Sequence, residues 1–440
     1  MPLHDPAALG LSLPLWSVVP FAGLLLSIAL LPLFAPALWA RHYAKVCLAF
    51  GVPVAAFFLL RAPRELLHTA LEYASFLVLL ASLFTISGGI LLRGTLRGSA
   101  GVNSGILAVG ALLANVFGTT GASMLLIRPL LRANAHRHRV AHVVVFFIFV
   151  VANIGGALTP IGDPPLFLGY LRGVPFFWTL RAMGLLWAVA VGLVIGAFYL
   201  VDRRAYALDA AAAEATESGA SMPASALGRP WPSDEAPESA GDARVPLSME
   251  GKINLPLLMA VIGAVFLPTP WREMAMAAAA VVSVWKTPAK VREENEFTWH
   301  PIEEVAILFA GIFATMIPAL LILKARGAEL GVVTPAHFFW ATGMLSSFLD
   351  NAPTYLTFFS LAQGLGGTQT VAGVSAPLLQ AIGAGAVFMG ANSYIGNAPN
   401  FMVKAIAEEA GVRMPSFFGY MAWSCVVLLP IFFLLTLIFF

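Results

Sequence analysis

Charge is scarce in this sequence. Lys, Arg, Asp and Glu make up 11% of its 440 residues, roughly half the share of a soluble domain. Apolar residues make up 59%, and mean hydropathy is +0.84. They gather in about ten to twelve blocks of roughly 15–30 residues, the length that crosses a hydrocarbon core of about 30 Å. A soluble fold would have to hide all of these blocks in one core, which excludes that class. Cysteine is scarce as well. Cys47 and Cys425 lie far apart, inside or beside apolar blocks, so the chain has neither a disulfide framework nor a cysteine metal centre. No Lys or Arg precedes the first block, Leu13–Phe34, and the block is long, so it reads as a retained span and not a secretion signal.

What is present is a set of apolar spans. Simple ones are expected at Leu13–Phe34, Val46–Leu60, Tyr73–Leu92 and Trp178–Val201, then at Leu255–Leu267, Glu273–Trp285, Val305–Leu323 and Phe417–Phe440. Between the two sets lies Asp202–Lys252, rich in Ala, Ser, Pro and Glu. That composition buries too little apolar surface to fold and predicts a polar, cytoplasmic linker. The expected organisation is therefore 1–201, a linker at 202–252, and 253–440.

Four further blocks are interrupted by small and polar residues: Val102–Leu131, Val140–Leu171, Ala336–Gln363 and Pro377–Ala407. The interruptions centre on Asn115–Gly121, Asn153–Pro165, Ser346–Thr354 and Gly390–Asn400. Asn, Asp, Gly and Pro at this density end helices. In lipid a broken helix exposes unpaired backbone groups at several kcal/mol each, so breaks survive only where protein or a water-filled cavity meets them. The charge map then sets topology. The loop Arg128–His142 carries Arg128, Arg132, Arg137 and Arg139 at the end of Val102–Leu131, and Arg93 and Arg97 precede that block. By the positive-inside rule both ends face the cytoplasm, which predicts a re-entrant hairpin with its tip at Asn115–Gly121. The uncharged turn Gly364–Gly373 suits the outside and predicts a second hairpin entering from there. The fold expected is an all-α polytopic membrane protein of two inverted repeats. Each has three spans, a re-entrant hairpin, a broken helix and a final span, a recurring plan of secondary transporters.

The stretch Gly156-Ala-Leu-Thr-Pro-Ile-Gly-Asp-Pro-Pro165, with Asn153 ahead of it, resembles the ion transporter superfamily. Within it the sequence is similar to the citrate-transporter-like families, nearest to NhaD-type sodium/proton antiporters and their citrate-transport relatives. Asp350-Asn-Ala-Pro-Thr354 and Asn392–Asn400 supply the second-half partners, and the resemblance covers about Tyr73–Val201 and Glu303–Phe440. It implies a homodimeric elevator transporter in a bacterial-type inner (plasma) membrane, with the hairpin tips and broken helices forming the cation and substrate sites. Pro164 and Pro165 stand where the antiporter branch has hydroxyl residues, and the first tip lacks the Ser-Asn-Thr of the dicarboxylate branch.

Asp163 and Asp350 are the candidate ion carriers. An ionisable group at membrane depth costs at least about 2.5–3.5 kcal/mol, which makes an intramembrane carboxylate a functional candidate. The plainer role for each is to cap the half-helix that follows. Asn115, Thr119, Thr120, Asn153, Thr159, Asn351, Thr354, Asn392, Ser393 and Asn397 supply neutral oxygens, which suit Na+ alongside unwound backbone carbonyls. Alternatively they only satisfy freed backbone groups. No Arg or Lys lies inside a break, which favours a cation over an anionic cargo. Glu72, Glu303 and Glu304 read as interfacial, and His136, His138 and His142 as part of a plain basic loop. The function expected is Na+/H+ antiport, or else Na+- or H+-coupled transport of citrate or a dicarboxylate. An intramembrane aspartyl protease is the remote alternative; each aspartate having its own break and inverted partner argues against an enzyme. The bilayer, a second copy and a small ion or organic anion are the expected partners, with no nucleic acid and no cofactor beyond Na+ and H+.

Overall fold

The computed structural model describes residues 6–94, 96–217, 248–295, 297–366 and 370–440. The first half runs through α1 (Pro6–Ser12), α2 (Val19–Phe34), α3 (Pro36–Arg61) and α4 (Pro63–Ser87), then strand β1 (Leu91–Arg93). Next come α5 (Ala100–Ala133), α6 (Ala141–Val150), α7 (Pro164–Leu171) and the long α8 (Trp178–Glu217). Strand β2 (Ser248–Glu250) opens the second half. It leads to α9 (Asn254–Ala264), α10 (Trp271–Lys286), α11 (Ala289–Glu294), α12 (His300–Arg326), α13 (Pro335–Ser346) and α14 (Asn351–Leu365). The two-residue strands β3 (Thr370–Val371) and β4 (Val374–Ser375) pair as a hairpin before α15 (Ala376–Met389), α16 (Ala398–Glu409) and α17 (Phe417–Phe439).

Eight helices or helical stretches among the described residues are long and apolar enough to cross a membrane. The outer ones, α2, α3, α8 and α17, leave large apolar side chains such as Leu48, Leu185, Val426 and Leu437 exposed, a surface made for lipid and not for water. Helices α6 and α15 are apolar apart from His142 and Gln380 and are mostly buried, as a helix hydrophobic nearly all round must be.

α5 is long enough to span, yet it does not run straight. Gly118 breaks it at φ 74° and ψ 159°, a backbone that favours glycine because a Cβ would strain it. Asn103 and Asn134 then exchange side-chain hydrogen bonds of 2.9 and 2.8 Å. In a straight helix their separation of 31 residues would set them about 46 Å apart. α5 therefore doubles back as a hairpin with its tip at Gly118. α13 and α14 do the same around Ser347–Asp350, with Phe338 and Phe358 packed edge to face at 6.2 Å across the two arms.

Several boundaries differ from the sequence reading. α3 and α4 start well before the apolar cores at Val46 and Tyr73. Their N-terminal parts carry Arg41 and Lys45 in α3 and Arg64 and Glu65 in α4, long side chains that reach past the apolar zone while the backbone stays helical. The linker expected at 202–252 is helical to Glu217 and ends as β2, which pairs antiparallel with β1. Its Ala-rich first part continues the helix; residues 218–247 lie outside the described ones.

The helix packing is reciprocal. α3 packs on α12 and α10 on α4, α5 contacts α16 and α14 contacts α7, and α4 meets α12.

Candidate functional site

The two broken helices share a local pattern. Gly156-x2-Thr159-x2-Gly162-Asp163-x-Pro165 in one reads Gly390-x2-Ser393-x2-Gly396-Asn397-x-Pro399 in the other. In both, the chain folds so tightly that a Cβ on the second glycine would sit 2.1 Å (Gly162) or 2.5 Å (Gly396) from the carbonyl oxygen of the first. Only glycine fits such an approach. Each break then launches a half-helix from an extended residue. Asp163 stands at φ −143°, ψ 142° ahead of α7, and Asn397 at φ −154°, ψ 139° ahead of α16. Pro164 and Pro165 fill the first helical positions of α7, where proline's missing N–H costs nothing. That placement explains them structurally.

Neither Asp163 nor Asn397 caps its helix through its side chain. Both side chains turn inward to the same point. Thr119 Oγ1 donates to Asp163 Oδ1 at 2.8 Å, Asn397 Nδ2 donates to the same oxygen at 3.2 Å, and Asn351 Nδ2 donates to Oδ2 at 2.5 Å. One donor thus comes from each of the other three breaks. Asp163 is 1% exposed, and no Lys, Arg or His among the described residues pairs with it. Hydrogen bonds to a charged group contribute about 1.5–3 kcal/mol each, which stabilises the carboxylate without cancelling its charge. A proton or a bound cation is what remains to do that.

The neighbouring amides brace this arrangement. Asn397 Nδ2 also reaches Ala152 O at 3.1 Å and Asn153 Oδ1 at 3.2 Å. Asn153 Nδ2 donates to Ile148 O at 2.8 Å and Asn400 Oδ1 at 2.7 Å. Asn115 ties the first tip to the first broken helix, donating to Gly155 O at 2.7 Å and accepting from Leu158 N at 2.8 Å. Thr159 donates to Asn115 O at 2.6 Å, and in the matched place Ser393 donates to Ser347 O at 2.5 Å. These are the backbone-satisfying roles a break in lipid requires. Two buried amide oxygens, Asn351 Oδ1 and Asn392 Oδ1, have no partner among the described residues. Both belong to the breaks of the second half, and Asn351 is the residue that donates to Asp163 Oδ2.

Asp350 sits differently. It is half-buried and its Oδ1 accepts from Ala352 N at 3.0 Å, capping α14. No hydrogen bond links it to Asp163; its neighbour Asn351 makes that contact. Thr354 donates to Asp350 O at 2.9 Å. Thr120 is half-buried beside Thr119 and makes none of these bonds.

The chain belongs to the Putative citrate transport family, whose model matches residues 10–440.

No curated protein matches the chain. Within this member of the citrate transport family the structure adds charges that sequence reasoning misplaced. Glu72, read as interfacial, is buried and paired with Arg172. His142, read as loop, lies in the first turn of α6 with Nε2 2.7 Å from Asp202 Oδ1. Arg137 Nη2 reaches the same oxygen at 2.6 Å, and Asn103 Nδ2 donates to Oδ2 at 3.0 Å. The cluster clamps the base of the α5 hairpin to α6 and α8. Its signal in the sequence was a lone Asp immediately after an apolar span, taken there as the start of a linker.

Proposed function

We propose that this protein is a secondary active transporter that exchanges Na+ for H+ at Asp163 by alternating access. The observation that carries this reading is the buried Asp163 carboxylate, held by three neutral donors from three other breaks and by no basic group. A carboxylate so placed is neutralised in turn by Na+ and by H+, and the two compete for one position. Asn351 Oδ1, Asn392 Oδ1 and unwound backbone carbonyls would complete the Na+ shell. The reciprocal packing and the matched glycine pattern support two inverted repeats with re-entrant hairpins. They fit an elevator-type motion in a homodimer in a bacterial-type inner membrane.

In proteoliposomes, an inward Na+ gradient should raise the internal pH reported by a trapped dye. Asp163→Asn should abolish that response while the protein still folds and incorporates.

The family description favours a second reading, coupled transport of citrate. Labelled citrate uptake driven by Na+ or H+, with no Na+-dependent pH change in citrate-free vesicles, would replace the first reading by the second. An aspartyl protease needs two carboxylates sharing a proton; Asp350's role as a helix cap argues against it.

A further inference from the structure

Arg172 closes α7, the half-helix that Asp163 opens. Its guanidinium grips Glu72 of α4 with two bonds, Nε to Oε1 at 3.1 Å and Nη2 to Oε2 at 3.0 Å. Nη1 lies 3.4 Å from Ser360 Oγ on α14. One side chain thus joins α4, α7 and the second arm of the α13–α14 hairpin. Both partners are largely buried, Arg172 at 16% and Glu72 at 7% side-chain exposure. His68 Nδ1, one turn along α4, is exposed and 3.8 Å from Glu72 Oε1. The eight residues of α7 put this ion pair about 12 Å along the helix from Asp163.

The matched half-helix α16 ends without such a pair among the described residues. Counted from the matched Gly162 and Gly396, the counterpart of Arg172 is Ile406 on α16, which cannot form an ion pair. Where α4 meets the second arm of the α5 hairpin, Ser87 packs over Gly121. There the hydroxyls of Ser87 and Ser123 are buried with no partner among the described residues. The end of α7 is therefore tied by a bidentate charge pair to two other elements, while the matched end of α16 carries an apolar side chain.

We propose that Glu72–Arg172 is an ionic latch that shuts Asp163 off from the outer face and must open in every transport cycle. Buried pairs of this kind cost much to break one-sidedly but re-form with defined geometry, which suits a two-state closure. The proposal rests on alternating access. Its sidedness rests on placing the Arg128–Arg139 loop in the cytoplasm.

The test uses the full chain with Cys47 and Cys425 replaced by alanine. In Glu72→Cys/Arg172→Cys, a bis-maleimide with a disulfide in its spacer should bridge the two thiols and abolish transport, and reduction of the spacer should restore it. A cross-linked protein that transports at the reduced rate overturns the latch. Independently, Thr357→Cys on α14 reports access to a membrane-impermeant thiol reagent. Its labelling from outside should rise several-fold in Glu72→Gln and return to the starting level in the charge-swapped Glu72→Arg/Arg172→Glu. Labelling that is unchanged in both, with transport intact, overturns the proposal even if one variant folds poorly. Labelling that rises only from the face carrying Arg128 overturns the sidedness and leaves the cross-link to decide the latch. If transport is lost in every variant regardless of redox state, while labelling follows the expected order, the latch stands and the exchange reading fails.

Discussion

The two broken helices have almost the same backbone and different charge. Both pass through a glycine-clamped turn, and both start a half-helix from an extended residue with nearly equal dihedral angles. One places a carboxylate at the meeting point and the other an amide, with Asn397 Nδ2 donating to Asp163 Oδ1. A symmetric pair of aspartates would put two buried charges side by side, and like charges at contact distance in a dry site are mutually costly. A single carboxylate facing an amide gives one exchangeable charge with a donor already aimed at it. The backbone turn recurs, while the buried carboxylate stands in one of the two broken helices.

That comparison can be broken most directly by moving the charge. Asp163→Asn should reduce Na+-dependent proton movement to the level of empty liposomes. Asp163→Asn/Asn397→Asp puts the carboxylate on the matched position, within reach of the same Thr119 and Asn351 region. If position alone matters, the double variant regains measurable transport. A double variant as dead as the single one would mean that the surroundings of α7, including its Arg172 end, distinguish the halves as much as the charge does.

The hairpins differ in a second way, at their bases. The α5 hairpin is fastened by Asp202, Arg137, His142, Asn103 and Asn134, all buried. The base of the α13–α14 hairpin has instead the short β3–β4 pair and Gln363 Nε2 donating to Ala372 O at 3.0 Å. Removing one partner of a buried ion pair costs about 3–5 kcal/mol because the other charge is stranded. Asp202→Ala should therefore lower the thermal stability of the detergent-solubilised protein by about that amount, leaving Arg137 with Asn134 Oδ1 at 3.1 Å and the more distant Asp209 carboxylate at 3.7 Å. Gln363→Ala should cost about 1 kcal/mol. Equal losses would mean that the cluster is not what holds the first hairpin.

Much of this architecture was legible in the sequence because its cause is local. Gly118 with Asn115 and Thr119, and Asp350-Asn351-Ala-Pro353, mark hairpin tips by residues that end helices. Arginines on both flanks of Val102–Leu131 set the ends of that block on one side before any coordinates. Which aspartate faces the site was not legible. Asp163 and Asp350 each precede a half-helix, and the choice between capping and facing inward depends on tertiary neighbours that spacing does not encode. The buried roles of Glu72, Asp202 and His142 were hidden for the same reason. A charge near the end of an apolar span looks interfacial until a partner 100 residues away (for Glu72, Arg172) is brought to it.

The distinction between the two aspartates can be sharpened within one residue pair. Asn351→Ala removes a donor from the buried carboxylate. The expected cost is about 1.5–3 kcal/mol, or roughly ten- to hundredfold in apparent Na+ affinity read from the concentration dependence of the dye response. Asp350→Asn keeps a side chain that caps helices about as well, so stability should change by no more than about 0.5 kcal/mol and Na+ affinity only slightly. If Asp350→Asn abolishes exchange while Asn351→Ala is tolerated, the carrier role belongs to Asp350 and the second hairpin holds a charge site of its own.

The smallest effects should fall where the halves are most alike. Ser99 caps the first arm of one hairpin by accepting from Val102 N at 3.3 Å, and Thr334 caps the first arm of the other by accepting from His337 N at 3.2 Å. Ser99→Ala and Thr334→Ala should each cost about 1 kcal/mol in thermal unfolding, with transport little changed. Equal small losses at the caps, beside a large loss at Asp202, would assign the difference between the hairpins to the buried charge cluster. A Ser99→Ala loss well above that of Thr334→Ala would assign part of it to the helix start itself, where Pro335 follows Thr334 and Ala100 follows Ser99.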